Sequence, residues 1–155
     1  MVEPTREEAL QHLRSDYGNL RERLESLSEA EAVRPELAGN WSAKQLLSHV
    51  VAWEEEAVER LRLIAAGRGD EIRPIRRDEV DDWNAAAVER LSGVAWADLL
   101  ARWLAVRANL VQAVEALSEE QFANPARRLR IARWLPDFAW AHEAEHAAEL
   151  GHTSA

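Results

Sequence analysis

Leu10, Leu13, Tyr17, Leu20, Leu24 and Leu27 recur at alternating spacings of three and four residues. That is the period of an α-helix with one buried face, and it predicts a single amphipathic helix from Thr5 to about Leu27. A second stripe, Leu46, Val50, Trp53, Ala57, Leu61 and Ile64, faces a wet row of Lys44, Ser48, Glu55, Glu59 and Arg62. Ser42 supplies an N-cap for that helix, and Gly67 and Gly69 end it. A third stripe, Val80, Trp83, Ala87 and Leu91, is interrupted at Ser92-Gly93. It resumes near Ala95 through Leu99, Trp103, Val106, Leu110, Val114 and Leu117. The last helix is expected from Pro136, a favoured first-turn residue, to about Leu150, with Gly151 as its stop. Ser28 with Glu31, and Ser118 with Gln121, carry the spacing of capping boxes. Pro35, Gly39 and Asn124-Pro125 break the chain. Segments 70–76 and 126–133 show no clear period, and no useful stretch alternates with period two. The pattern reads as all-α: an up-down four-helix bundle with a broken third helix, one domain over residues 1–155.

Composition narrows the chemistry. At 47% hydrophobic over 155 residues, the chain has enough apolar content for a real core. It has no cysteine, which excludes disulfides, a Cys nucleophile and thiolate metal ligands, so any thiol must come from outside. The net charge is −9. A phosphate backbone is repelled on average, so no nucleic-acid partner is expected, and the Arg127, Arg128, Arg130 and Arg133 cluster reads as a solvated face. The N-terminal residues are charged from the start, and nothing approaches the roughly 20 apolar residues of a membrane span. The expectation is a cytoplasmic protein with no membrane partner. Seven Trp, against two Phe and one Tyr, read as core and interface packing, which leans toward a homodimer.

The stretch HEAEH, residues 142–146, fits the H-E-x-x-H signature of zinc proteases. The rest of that site is missing. Only nine residues follow His146, position 149 is Glu where the longer motif needs Gly, and the only Met is Met1. What survives is a pair of histidines four apart, about 40° from each other on a helix and therefore on one side of it. A third ligand must come from elsewhere. His12 sits on a polar face and reads as surface, and His152 reads as part of a frayed end. His49 lies on the flank of a buried stripe, between Leu46 and Trp53, and can point into a bundle. It is either a core histidine bonded to a neighbour or the third member of a three-His site with an open fourth position. Glu149, in line with His146, and Glu145, on the other flank, are candidate bases or supporting carboxylates. Glu143, about 100° from His142, is expected on the surface. Trp53 and Trp83 face inward and are candidates for a pocket wall.

At these residues the chain resembles a known family. WSAKQLLSHVVAWEEE (41–56) is similar to the second-helix signature of the DinB/YfiT-like metalloenzymes. DDWNAAAVERLSGVAWADLLARW (81–103) and the closing HEAEH resemble the ClbS/DfsB-like four-helix-bundle branch. The resemblance covers nearly the whole chain in order. It implies a metal held by one His on the second helix and two His four apart on the last, which are His49, His142 and His146 here. It implies zinc or nickel as the ion, and transfer, isomerisation or detoxification chemistry with low-molecular-weight thiols. Glu145 stands where some thiol-transferase members carry an additional His. The function expected is a metal-dependent enzyme acting on a small electrophile through activated water or exogenous thiol. The alternatives are a non-catalytic metal- or ligand-sequestering module and a purely structural, dimer-forming bundle.

Overall fold

A computed structural model describes residues 2–37 and 40–153, with backbone alone for 151–153. The expected breaker Gly39 and the side chain of His152 lie outside the described residues. Among the described residues nine helical segments follow one another: α1 (Arg6–Ser15), α2 (Leu20–Glu25), α3 (Glu29–Ala32), α4 (Ala43–Ala65), α5 (Val80–Leu91), α6 (Trp96–Glu115), α7 (Glu119–Phe122), α8 (Ile131–Phe138) and α9 (Trp140–Thr153). Single 3₁₀ turns stand at Gly69–Glu71, Arg77–Glu79 and Arg127–Leu129, the last of them within a segment where the sequence shows no period. No strand occurs among the described residues. The architecture is an all-α helical bundle, in which α4 packs most extensively on α6, and α1 on α6.

Local chemistry sets the helix starts. The Ser28–Glu31, Ser42–Gln45 and Ser118–Gln121 boxes all form, with the serine hydroxyl accepting from the third backbone N–H and the third side chain accepting from the serine N–H. The stripes then bury. Leu13, Leu20, Leu24, Leu47, Val50, Leu61, Leu99, Leu110 and Val114 are fully enclosed, and each such side chain contributes roughly 1.5–3 kcal/mol by leaving water. Ser48, expected on the wet face of α4, is also buried and donates its hydroxyl to the Lys44 carbonyl at 2.9 Å. Trp96, Trp103 and Trp140 are buried as well, so these indoles serve the interior.

Two expected helices are each broken. The first divides at Asp16–Asn19, where Gly18 (φ 60°) and Asn19 (φ 69°) take left-handed backbone. Asp16 stabilises that turn by accepting from the Gly18 N–H at 2.9 Å. The turn also brings two elements into close approach: a Cβ at Gly18 would lie 2.5 Å from the Ala144 nitrogen of α9. The last helix divides at Ala139 (φ −131°, ψ −108°), and Pro136 lies inside α8 rather than at the head of α9. A proline there has no N–H for the carbonyl four residues back, which weakens the turn before the break. The helix also continues through Gly151 to Thr153. The third helical run is broken between Leu91 and Trp96, as the interrupted stripe predicts.

Candidate metal centre

His49 stands in the second turn of α4, placed there by the Ser42 cap, and is only 7% exposed. His142 and His146 project from one side of α9. The three imidazoles converge. His49 Nε2 lies 2.9 Å from His142 Nε2, and His146 Nε2 lies 2.9 Å from the same atom. One ligand nitrogen from each falls within 4.8 Å of the others.

Hydrogen bonding alone does not account for this cluster. An imidazole nitrogen carries either one proton or one in-plane lone pair, so His142 Nε2 can satisfy one neighbour but not both. A divalent cation among them would use all three lone pairs; ligand distances of 2.0–2.1 Å in a tetrahedral site imply nitrogens about 3.3 Å apart. The donor set also fits, since three neutral imidazoles leave a fourth position open. Burial, followed by the neighbouring His146, pushes the His49 pKa down to about 4. Burial, then His146 and His49, pushes His142 down to about 3. Both rings therefore stay neutral, as ligands must be.

Around the rings, Glu149 accepts from His146 Nδ1 at 2.9 Å, the carboxylate–imidazole arrangement that fixes a ligand's tautomer and aim. The Nδ1 atoms of His49 and His142 are buried without a hydrogen-bond partner among the described residues. Trp41 meets His49 edge-on at 5.6 Å, and Trp53 does so at 6.4 Å. Trp53 packs against Phe138 at 5.0 Å and Trp83 at 4.3 Å, and donates its indole N–H to Asn84 at 2.8 Å. Trp83 thus meets Trp53, which in turn meets His49.

Glu145 stands apart from the cluster. It lines a groove of about 620 Å³ with His12, Asp16, Asp137 and Trp140. His12, expected as a plain surface residue, is half-buried there: its ring stacks on Trp140 at 4.6 Å and bonds Asp16 at 2.7 Å.

Glu143 is a correction. It is fully buried, not on the surface. Packing of α9 in the bundle encloses two of its faces, and the turn that carries Glu143 away from the histidines carries it into the interior. There Arg107 of α6 donates to Glu143, and donates from Nε to Glu54 of α4 at 2.9 Å. The Trp103 indole N–H is shared between Glu54 (3.0 Å) and Glu143 (2.8 Å). A further Arg107 nitrogen reaches the Leu13 and Asp16 carbonyls at 3.1 and 2.7 Å, closing the end of α1. Burial, then the adjacent Glu54 charge, raises the Glu143 pKa well above the usual carboxylate range. Burial works against the Arg107 charge, but the two carboxylates hold its pKa above the ordinary value. The available signal for this network was Arg107 in register on an apolar stripe.

Comparison with known proteins agrees with this architecture. The colibactin self-resistance protein ClbS, solved in complex with a double-stranded DNA, superposes with a TM-score of 0.83. The match covers 99% of this chain and 97% of that chain at 18% sequence identity. No curated protein matches the chain by sequence. The ClbS complex overturns one expectation: exclusion of nucleic acid on net charge does not stand, because a protein of this fold is seen with duplex DNA. Net charge is an average over the surface, whereas contact with phosphate is local. The family model described as the DinB superfamily matches residues 9–150, from the first helix to the histidine-bearing last one, and the chain belongs to that superfamily.

Proposed function

We propose that this chain holds a divalent first-row metal ion, zinc or nickel, at His49, His142 and His146, and acts on a small electrophilic molecule by hydrolysis or by addition of a low-molecular-weight thiol. The observation that carries the reading is the convergence of three Nε2 atoms that hydrogen bonding cannot satisfy together. Such an ion, when bound, supplies Lewis acidity that makes a nucleophile of water or thiol near neutral pH. Glu149 orients His146 and is the nearer carboxylate for moving a proton; Glu145 is the more distant candidate. Trp53, with Trp83 behind it, is the aromatic surface beside His49 against which an apolar substrate would rest. The reading takes residues 1–155 as one domain acting in the cytoplasm. No described helix is long and apolar enough to cross a membrane.

Elemental analysis of the wild type beside His49→Ala tests it. One equivalent of metal in the wild type, lost in the variant, supports the site; equal metal content in both sinks it. A metal-loaded protein that returns small electrophiles unchanged, with and without added thiol, would favour sequestration over catalysis.

A second reading is contact with duplex DNA. It is supported by the ClbS complex and by Arg127, Arg128 and Arg133, which are exposed with no ion-pair partner among the described residues. Fluorescence anisotropy with a labelled duplex decides it: binding that weakens steeply with salt and on replacing these arginines supports it, and no binding at low salt removes it.

A further inference from the structure

The helices that carry the three histidines scarcely pack on each other. α4 and α9 meet sparsely, whereas α4 lies along α6 for much of its length. Direct packing between them therefore does little to fix the rotation and height of α9 against α4, yet a three-His site needs both. Ligand distances tolerate only about 0.2 Å. At a helix radius of about 5–6 Å, a rotation of about 10° moves an imidazole tip by about 1 Å.

Between the two helices stands the buried polar cluster. Trp103 and Arg107, one turn apart on α6, hold Glu54 from α4 and Glu143 from α9 at the same time. Glu143 directly follows His142, and its direction from the α9 axis differs from that of His142 by about 100°. Held by two donors, it opposes rotation of α9, as the close approach of Gly18 to Ala144 does from the α2 side. Glu54 lies five residues beyond His49, about 7.5 Å along α4. Three of the four side chains are inaccessible to solvent and Arg107 is only 1% exposed. Charges so enclosed stabilise a fold little better than well-packed apolar residues would, so their distinctive contribution is to geometry.

We infer that Trp103 and Arg107 are positioning residues for the metal centre: by gripping Glu54 and Glu143 together they set the register of α4 against α9 that brings His49 onto His142 and His146. The inference rests on the metal-binding reading proposed above.

The test is cobalt(II) titration of the full chain, with affinity measured by chelator competition and ligand geometry read from visible absorption. The variants are Trp103→Phe, Glu143→Ala and Glu143→Gln, beside Val114→Ala as a core destabilisation without a polar role. Trp103→Phe and Glu143→Ala should weaken cobalt binding by about 10- to 100-fold, the usual effect of losing an outer-shell support, and alter the absorption band. Glu143→Gln keeps one acceptor oxygen where Arg107 and Trp103 use two, so its loss should fall between the wild type and Glu143→Ala. Val114→Ala should lower the melting temperature and leave affinity and spectrum unchanged. Wild-type affinity and spectrum in folded Trp103→Phe overturn the inference, and so does an equal loss in Val114→Ala. If Glu143→Ala does not fold, Trp103→Phe and Glu143→Gln decide the matter. A wild type that binds no cobalt removes the metal reading itself and this inference with it; unaffected variants of a cobalt-binding wild type remove this inference alone.

Discussion

Metal-free protein should lose stability on mild acidification, and the loss should trace to two rings. His49 and His142 have pKa values pushed down to about 4 and about 3 in the fold, against an ordinary value of 6.5. Above pH 6.5 both states keep these rings neutral, and the depressed values cost nothing. Below it the unfolded chain takes up protons that the folded chain refuses, so stability falls until the folded pKa is reached. At pH 5 the unfolded rings are about 1.5 pH units below their pKa, which corresponds to about 2 kcal/mol each and about 4 kcal/mol together. That is a large part of the roughly 5–15 kcal/mol of an ordinary domain. Glu143 runs the other way. Its raised pKa means the fold binds a proton there more tightly than the unfolded chain does, so its contribution grows as pH falls. A comparison cancels it: urea unfolding of chelator-treated wild type and of His49→Asn/His142→Asn, each at pH 7.5 and pH 5. The wild type should lose about 4 kcal/mol more than the double variant over that interval. Equal losses in the two proteins would refute the claim that burial of these imidazoles disfavours their charged forms.

Other outcomes follow from single contacts. Gly18→Ala puts a Cβ 2.5 Å from the Ala144 nitrogen on a backbone with φ of 60°, and should cost on the order of 3 kcal/mol in denaturant unfolding. A loss below about 1 kcal/mol would mean that the α1–α2 turn does not press on α9. Glu149→Gln replaces the carboxylate on His146 Nδ1 and should weaken metal binding by about tenfold or more in chelator competition, with little change in melting temperature. Ser42→Ala removes the cap whose hydroxyl accepts from Gln45 at 3.1 Å, and should cost about 1 kcal/mol.

Hydrophobic spacing shows where this chain is buried, and little about where its backbone turns. The first stripe passes Leu13, Tyr17 and Leu20 without losing phase, so nothing in it marks the left-handed pair Gly18–Asn19. The cue lay in the residue types themselves, an Asp-Tyr-Gly-Asn run with two residues that tolerate positive φ. The break at Ala139 had less to announce it, since Pro136 suits a helix start as well as a weakened helix end. The histidine cluster was legible because a four-residue spacing is itself a geometry, and His49 sits on the edge of a stripe. Glu143 was not, because a wheel drawn for one helix assigns one wet face and a bundle can enclose two. Its partners carried the better clue. Val50, Glu54, Ala57 and Leu61 keep one register, and so do Trp103, Arg107, Leu110 and Val114. Glu54 and Arg107 each occupy a core position, and a charge there requires a partner. One such acid on α4 and one such base on α6 account for each other. Arg107 has further donors to satisfy, and a second carboxylate, from the helix bearing His142 and His146, is what the fold supplies.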